Sequence, residues 1–226
     1  MKFFERKERW GLTWRGWLLA GLLAMVVGSG VFWRIQPFLA ISEPVPCRIL
    51  VVEGWVDWLT IGAAVEEFHS GGYTRVLTTG GPVVGNGDYV NDFQTCASVG
   101  ADRLRKSGLP AEKVQMVPCR KMARDRTFAS AVALRDWFKS ENLPMENFNV
   151  LTEDVHARRT QILYQKAFSA DHNDDGEGKE IQIGIISVPD PDYPAEEWWK
   201  YSQGVKDVFG EVLAYVYTKL FFDGDN

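Results

Sequence analysis

The chain has 226 residues, enough for one sizeable core, and 25 Lys+Arg against 30 Asp+Glu leave a formal net charge of −5. No run of basic residues interleaved with aromatics appears in the globular part, so no nucleic-acid partner is expected. Three scattered cysteines, Cys47, Cys96 and Cys119, form no C-x-x-C pair and exclude a disulfide framework or a structural zinc site by spacing. Pro44-Val45-Pro46 before Cys47 is not the small-residue run that a lipid-modified cysteine requires.

Residues 1–16 carry Lys2, Arg6, Lys7, Arg9 and Arg15 against only Glu5 and Glu8. The next segment, 17–34, is the candidate transmembrane signal-anchor: its first seventeen residues, WLLAGLLAMVVGSGVFW, hold no charge and have Trp at each end, where an amphipathic ring sits at headgroup level. The run is slightly short for a ~30 Å hydrocarbon core, and Gly16, Ile35 and snorkelling Arg15 and Arg34 extend it. The positive-inside bias keeps the N-terminus in the cytoplasm and places the rest outside, at a bacterial inner membrane. A cleaved signal peptide is the alternative, with Gly28-Ser29-Gly30 as the small residues, but the apolar run continues through Val31-Phe32-Trp33. Residues 35–46, with Pro37, Pro44 and Pro46, have the composition of a linker.

From 47 to 222 short apolar runs alternate with helical patterns. The expected strands are 48–53, 74–79, 113–118, 147–152 and 181–188, rich in Val, Ile and Leu as strands buried on both faces are. Helical patterns occupy about 57–70, 91–107, 126–140 and 154–169, with a last long helix at about 196–221. This alternation predicts an α/β domain with a mostly parallel, five-stranded, doubly wound sheet, whose ligands bind at the C-terminal strand edge. The last helix repeats Val205, Val208, Phe209, Val212, Leu213, Val216, Tyr217 and Leu220, which predicts a broad face packed on the sheet, interrupted by Glu211 and Lys219.

The residues directly after each strand are polar. Strand one ends in Glu53-Gly54, followed by Trp55, Asp57 and Trp58; strand two ends in Thr78-Thr79-Gly80-Gly81. A glycine pair there either lets backbone N–H groups approach a ligand oxygen or makes a plain tight turn. After strand three, Arg124-Asp125-Arg126-Thr127 offers a capping Asp125 and two guanidinium groups near a helix N-terminus, a candidate phosphate or carboxylate site or a solvated charged turn. Strand four leads into Glu153-Asp154-Val155-His156-Ala157-Arg158-Arg159. His156 suits proton transfer near neutral pH or serves as a structural hydrogen-bonder, and at most one of the two arginines faces a ligand. Asp171-His172-Asn173-Asp174-Asp175-Gly176 matches the first half of a calcium loop, but its twelfth position is Gln182 rather than Glu, so no metal site is expected.

In order and spacing these turns resemble the YdcF/SanA/ElyC-like family of bacterial domains of unknown function, over roughly residues 48–188. The matching positions are Glu53-Gly54, Thr79-Gly80-Gly81, Arg124-Asp125-Arg126-Thr127 and His156-Ala157-Arg158. Asp125-Arg126 stands where the common pattern has Arg-Asn, and Cys96 stands where it usually carries Glu. The resemblance implies a Rossmann-like three-layer fold, an anchored protein of the cell envelope, and a part in envelope or peptidoglycan maintenance, without naming a reaction or a cofactor. Three functions compete. One is a pocket for a small anionic or nucleotide-like ligand, or a phosphate-bearing envelope precursor, built from Glu53, Gly54, Thr79, Gly80, Gly81, Asp125, Arg126, Thr127, His156 and Arg158. The second is an enzyme on such precursors with His156 as general acid/base and Glu53 or Asp57 orienting water or metal, against which stands the lack of a nucleophile motif. The third is an interaction platform built on Trp55, Trp58, Trp198 and Trp199.

Overall fold

A computed structural model describes residues 12–83, 95–120, 125–169 and 181–223. The chain divides into two units, Met1–Ile35 and Gln36–Asn226. Helix α1, Trp14–Leu39, supplies the first unit and the opening turn of the second. It has 26 residues, and its most apolar stretch reaches a mean hydropathy of 1.8 with no residue buried, so by length and composition it can cross a membrane.

The second unit holds five strands, β1 (Ile49–Glu53), β2 (Arg75–Gly80), β3 (Val114–Pro118), β4 (Phe148–Glu153) and β5 (Ile183–Val188). They pair in the order β3-β2-β1-β4-β5, and every pairing is parallel. The crossovers are α2 (Trp58–Ser70), α3 (Cys96–Lys106), α4 (Arg126–Ser140) and α5 (Ala157–Ser169). A short 3₁₀ segment, Ala195–Lys200, then precedes α6 (Ser202–Leu220). The α/β class, the parallel five-stranded sheet and the N-terminal apolar helix are as the sequence predicts.

Alternation along the central strand builds both layers. Ile49 and Val51 of β1 join a cluster with Leu134 and Phe138 of α4 and Tyr164 and Phe168 of α5, whereas Leu50 and Val52 join Ile61 and Phe68 of α2 and Leu104 of α3. Burial on both faces explains why the strands read as unbroken apolar runs. Capping punctuates the helices: Asp57 accepts from Thr60 N at 2.7 Å, Thr95 and Ser98 form a reciprocal capping box, and Asp125 accepts from Phe128 N at 3.0 Å. Asp57, expected to orient water or metal, is thus a helix cap.

Glycines let α3 descend onto the strand ends. A Cβ on Gly54 would lie 2.1 Å from the Cys96 carbonyl oxygen, and one on Gly100 would lie 2.6 Å from the Cα of Gly54. Gly80 has φ of +152°, and a Cβ there would lie 2.6 Å from that of Cys96. These close approaches bring the N-terminus of α3 to the end of β2.

Two expectations are corrected. Residues 35–46 are not a free linker. Pro37 sits inside α1, where it gives up one hydrogen bond without ending the helix. Beyond it Leu39 and Ile41 are buried, Glu43 exchanges backbone hydrogen bonds with Ile185 at 2.7 and 3.2 Å, and the Asn149 amide brackets the backbone of Val45 at 2.8 and 3.1 Å. Prolines exclude regular structure but not packing. The last helix, in turn, does not bury a broad face on the sheet. In α6 only Gly204, Val208 and Thr218 are buried, because α2 with α3 and α4 with α5 already cover the two sheet faces and α6 packs on α5 and on the turn after β4.

The glycine contact is testable by chemical denaturation. Gly54→Ala is expected to destabilise the protein by about 3 kcal/mol, since the new methyl must displace backbone rather than a flexible side chain. Gly62→Ala, inside α2 with nothing near its Cβ position, is expected to stabilise by up to about 1 kcal/mol.

Candidate functional site

Because β1 lies between β2 and β4, the C-terminal ends of these three strands are neighbours, and the turns that leave them wall a cavity of about 400 Å³. Its lining includes Glu53 from β1, Thr79 and Gly80 from β2 with Gly81 just after it, Asp125, Arg126 and Thr127 at the start of α4, and His156 after β4. Eight of the ten sequence-predicted site residues therefore converge. Gly54 and Arg158 do not line the cavity. Gly54 serves the packing of α3, and the Arg158 side chain turns outward, its guanidinium 4.1 Å over the Phe38 ring and bonded to the Phe38 carbonyl. Its neighbour Arg159 faces the cavity instead.

Arg159 belongs to the ordered heart of the site. Its Nε and Nη2 donate to the two oxygens of Glu211 on α6, at 2.7 and 2.9 Å, and Glu211 Oε1 lies 2.8 Å from His156 Nδ1. Burial opposes charge on Glu211, but the hydrogen bonds and positive charge of Arg159 and His156 outweigh it and hold the carboxyl at about 2. An ionised Glu211 requires a proton on Nδ1, since a bare lone pair would face a carboxylate. Arg159 Nη2, 3.0 Å from that nitrogen, then donates to Glu211 alone. Nε2 lies 3.4 Å from the Thr127 hydroxyl and 3.7 Å from a Glu53 oxygen: it is an acceptor when the imidazole is neutral and a donor toward these oxygens when it is cationic. Trp55 packs edge-on against the imidazole with ring centroids 5.2 Å apart.

Glu53 is 2% exposed, and its Oε2 accepts from the hydroxyls of Thr152 at 2.5 Å and Thr160 at 3.4 Å. The Thr79 hydroxyl is committed to Tyr164 at 2.8 Å, so this residue offers the cavity only its backbone. Arg126 is exposed at the first turn of α4 and lines the cavity beside that helix N-terminus. Cys96 also lines the cavity, and burial raises its thiol above the ordinary value against the opposing pull of Arg126 and Arg103.

A second cavity of about 440 Å³ shares Trp55, His156 and Glu211 with the first and is lined by Asp57, Glu153, Asp154, Asp190, Asp192 and Asp207. Burial and the charge of Asp57 raise the Glu153 carboxyl to about 7, although the Thr60 hydroxyl donates to it at 3.1 Å. Burial likewise raises Asp190 and Asp207. Among the described residues no group of three or more His, Cys, Asp or Glu could hold a metal ion, and the calcium-like stretch 171–176 lies outside them.

Glu211 is the site residue that strand-end reasoning does not reach, because it comes from α6. Its signal is a lone carboxylate interrupting an apolar helical face, which marks an inward charge with a partner elsewhere.

Glu211 and Glu153, shifted in opposite directions, predict opposite pH behaviour. Glu211, depressed when folded, stabilises above about pH 4.5, and that contribution is lost as pH falls toward 2. Glu211→Gln should cost about 3 kcal/mol at pH 7, with a deficit that shrinks through this window. Glu153, raised when folded, loses stability as pH rises through 7. Glu153→Gln should stabilise by about 1–2 kcal/mol more at pH 8 than at pH 4.5, after allowance for solvent screening. Denaturant titrations across pH read both.

No protein-family model matches the sequence and no curated protein matches it.

Proposed function

We propose that the protein is anchored in a bacterial inner membrane by α1, with its α/β domain on the extracytoplasmic side, and that the strand-edge cavity takes a small phosphate-bearing ligand of the cell envelope. The observation that carries this reading is the meeting, in one cavity, of the Gly80-Gly81 backbone, the first turn of α4 with Arg126, and an imidazole whose Nε2 is unprotonated when neutral. The carboxylates there are turned to internal partners. Glu211 is neutralised by Arg159, Asp125 is spent on its helix cap, and Glu53 is held by two threonine hydroxyls. What remains toward the opening is donor-rich, which suits an oxyanion.

The uncharged run from Trp17 to Trp33, preceded by five basic residues against two acidic ones, supports the anchor and its orientation. The resemblance to YdcF/SanA/ElyC-like proteins supports a role in envelope or peptidoglycan maintenance. A second reading, an enzyme acting on phosphate-bearing envelope precursors, is favoured by one specific feature. The Glu211–His156 hydrogen bond fixes the imidazole tautomer and orientation, as a general acid/base requires. Arg126 would then stabilise charge developing on the ligand.

The test is native mass spectrometry and thermal shift on the full chain in lipid nanodiscs, with inorganic phosphate, nucleotides and polyprenyl-linked phosphates as probes. At least one probe should raise the melting temperature. Arg126→Ala should weaken that probe about tenfold while changing unfolding free energy by less than about 0.5 kcal/mol, since the side chain is exposed. Wild-type protein with no response to any phosphate-bearing probe would overturn the binding reading. Turnover abolished by His156→Ala with binding retained would establish the enzyme.

A further inference from the structure

The two cavities adjoin. Trp55, His156 and Glu211 line both, so a ligand whose phosphate sits beside Gly80, Gly81 and Arg126 meets the second cavity as it passes the imidazole. Trp55 stands at the junction, 43% exposed although its ring is held against His156. An indole in that position gives the C–H face of a sugar ring an apolar surface to pack on.

The chemistry changes across this junction. The first cavity carries Arg126 and Arg159, whereas the second presents Asp57 after β1, Glu153 at the end of β4, Asp190 and Asp192 after β5, and Asp207 on α6. Among the described residues, Lys206 is the one lysine or arginine that lines it. Gln203 Nε2 donates to both oxygens of Asp207 at 3.0 and 3.1 Å, and the Asp192 N–H donates to Oδ1 of Asp190 at 2.7 Å, which leaves Oδ2 of Asp190 for a ligand. Burial raises the carboxyls of Asp190 and Asp207, and the charge of Asp192 adds to the rise at each, the same repulsion that a further anion entering here would meet. Ionised carboxylates only accept hydrogen bonds. Hydroxyl groups therefore satisfy this wall, and phosphate oxygens are repelled by it.

We propose that the ligand is a sugar carrying a single phosphate, with the phosphate in the first cavity, the ring over Trp55 and its hydroxyls on the carboxylates of the second cavity. The proposal rests on the phosphate-binding reading above and narrows it. A polyphosphate chain, or a second phosphate at the far end of the sugar, is rejected by charge rather than by lack of space, since the second cavity has about 440 Å³. The sugar phosphate is either free or joined to a lipid through the same phosphate.

The test is isothermal titration calorimetry on the full chain in lipid nanodiscs. The probes are inorganic phosphate, glucose 1-phosphate, galactose 1-phosphate and glucose 1,6-bisphosphate, with polyprenyl-phosphate glucose placed in the discs as a competitor. A hexose 1-phosphate is expected to bind about tenfold more tightly than inorganic phosphate, and the bisphosphate about tenfold more weakly than glucose 1-phosphate. Asp190→Asn combined with Asp207→Asn, its folding confirmed by thermal unfolding, should shift the affinity ratio about tenfold toward the bisphosphate. Trp55→Leu should remove the advantage of the hexose 1-phosphate over inorganic phosphate. Displacement of glucose 1-phosphate by the polyprenyl competitor supports the proposal in its lipid-borne form, and tight binding without displacement supports it in its free form. A bisphosphate that binds as tightly as glucose 1-phosphate, or hexose 1-phosphates no tighter than inorganic phosphate, overturns the single-phosphate sugar and leaves the phosphate site standing. Silence toward every phosphate-bearing probe overturns both.

Discussion

The placement of β1 between β2 and β4 is the constraint on which the site depends. The chain winds outward from β1 through β2 to β3, then crosses back to add β4 on the other side of β1. At that reversal the turns after β1 and β4 diverge to opposite faces of the sheet, which leaves a crevice no side chain of the core fills. Glu53 and His156 stand on either side of it, and Thr79 to Gly81 complete the wall because β2 is the other neighbour of β1. The parallel register makes this possible: Glu53 pairs with Thr79, so the polar residues of both strands reach the edge together.

A crevice alone orients nothing. Orientation here comes from α6, which follows the last strand instead of crossing between strands, through Glu211. Burial of a carboxylate is costly unless it is paired and hydrogen-bonded, and Glu211 meets both terms by taking a two-point contact from Arg159 and a third bond from His156. The return is a histidine with a defined tautomer and a ring that Trp55 supports from the side. The C-terminal carbonyls of α6 are in turn tied by Lys166 of α5, which donates to Thr218 and Phe222. The helix is therefore fastened at its inner face and at its end.

The sheet was legible in the sequence because each strand is buried on both faces and so appears as a short apolar run between helical patterns. Strand-end polarity then exposed most of the cavity, since a buried run that stops at Glu53, Gly80 or Glu153 must stop at an edge. Three features were not legible, each for a physical reason. Helical periodicity shows which residues of α6 share a face, but not whether anything covers that face. The choice between Arg158 and Arg159 depends on helical phase, and a 3₁₀ turn at Asp154–His156 resets the phase before α5 begins. The segment 36–46 contains prolines and no periodicity, yet it packs through Leu39, Ile41 and two backbone exchanges with Glu43.

The docking of that segment bears on the site, and Asp154 is where the two meet. Asp154 is 4% exposed and has φ of +33°, a backbone conformation that Asp tolerates better than most residues. Its side chain accepts from Gln36 at the end of α1 and from the Tyr193 hydroxyl, both at 2.7 Å, and its carbonyl accepts from Ser187 of β5. Burial raises its carboxyl while these two donors oppose the rise. His156 follows two residues later in the same turn. The bond that fastens the end of the apolar helix and the backbone that aims the imidazole thus belong to one three-residue segment. A shift of Gln36 would be felt at Asp154 directly and at His156 through a single 3₁₀ turn. The Asp154 side chain is engaged by Gln36 and Tyr193, neither of which lines the first cavity. That engagement is what a residue requires if its task is to hold residues 36–46 and the turn that carries His156 in fixed relation.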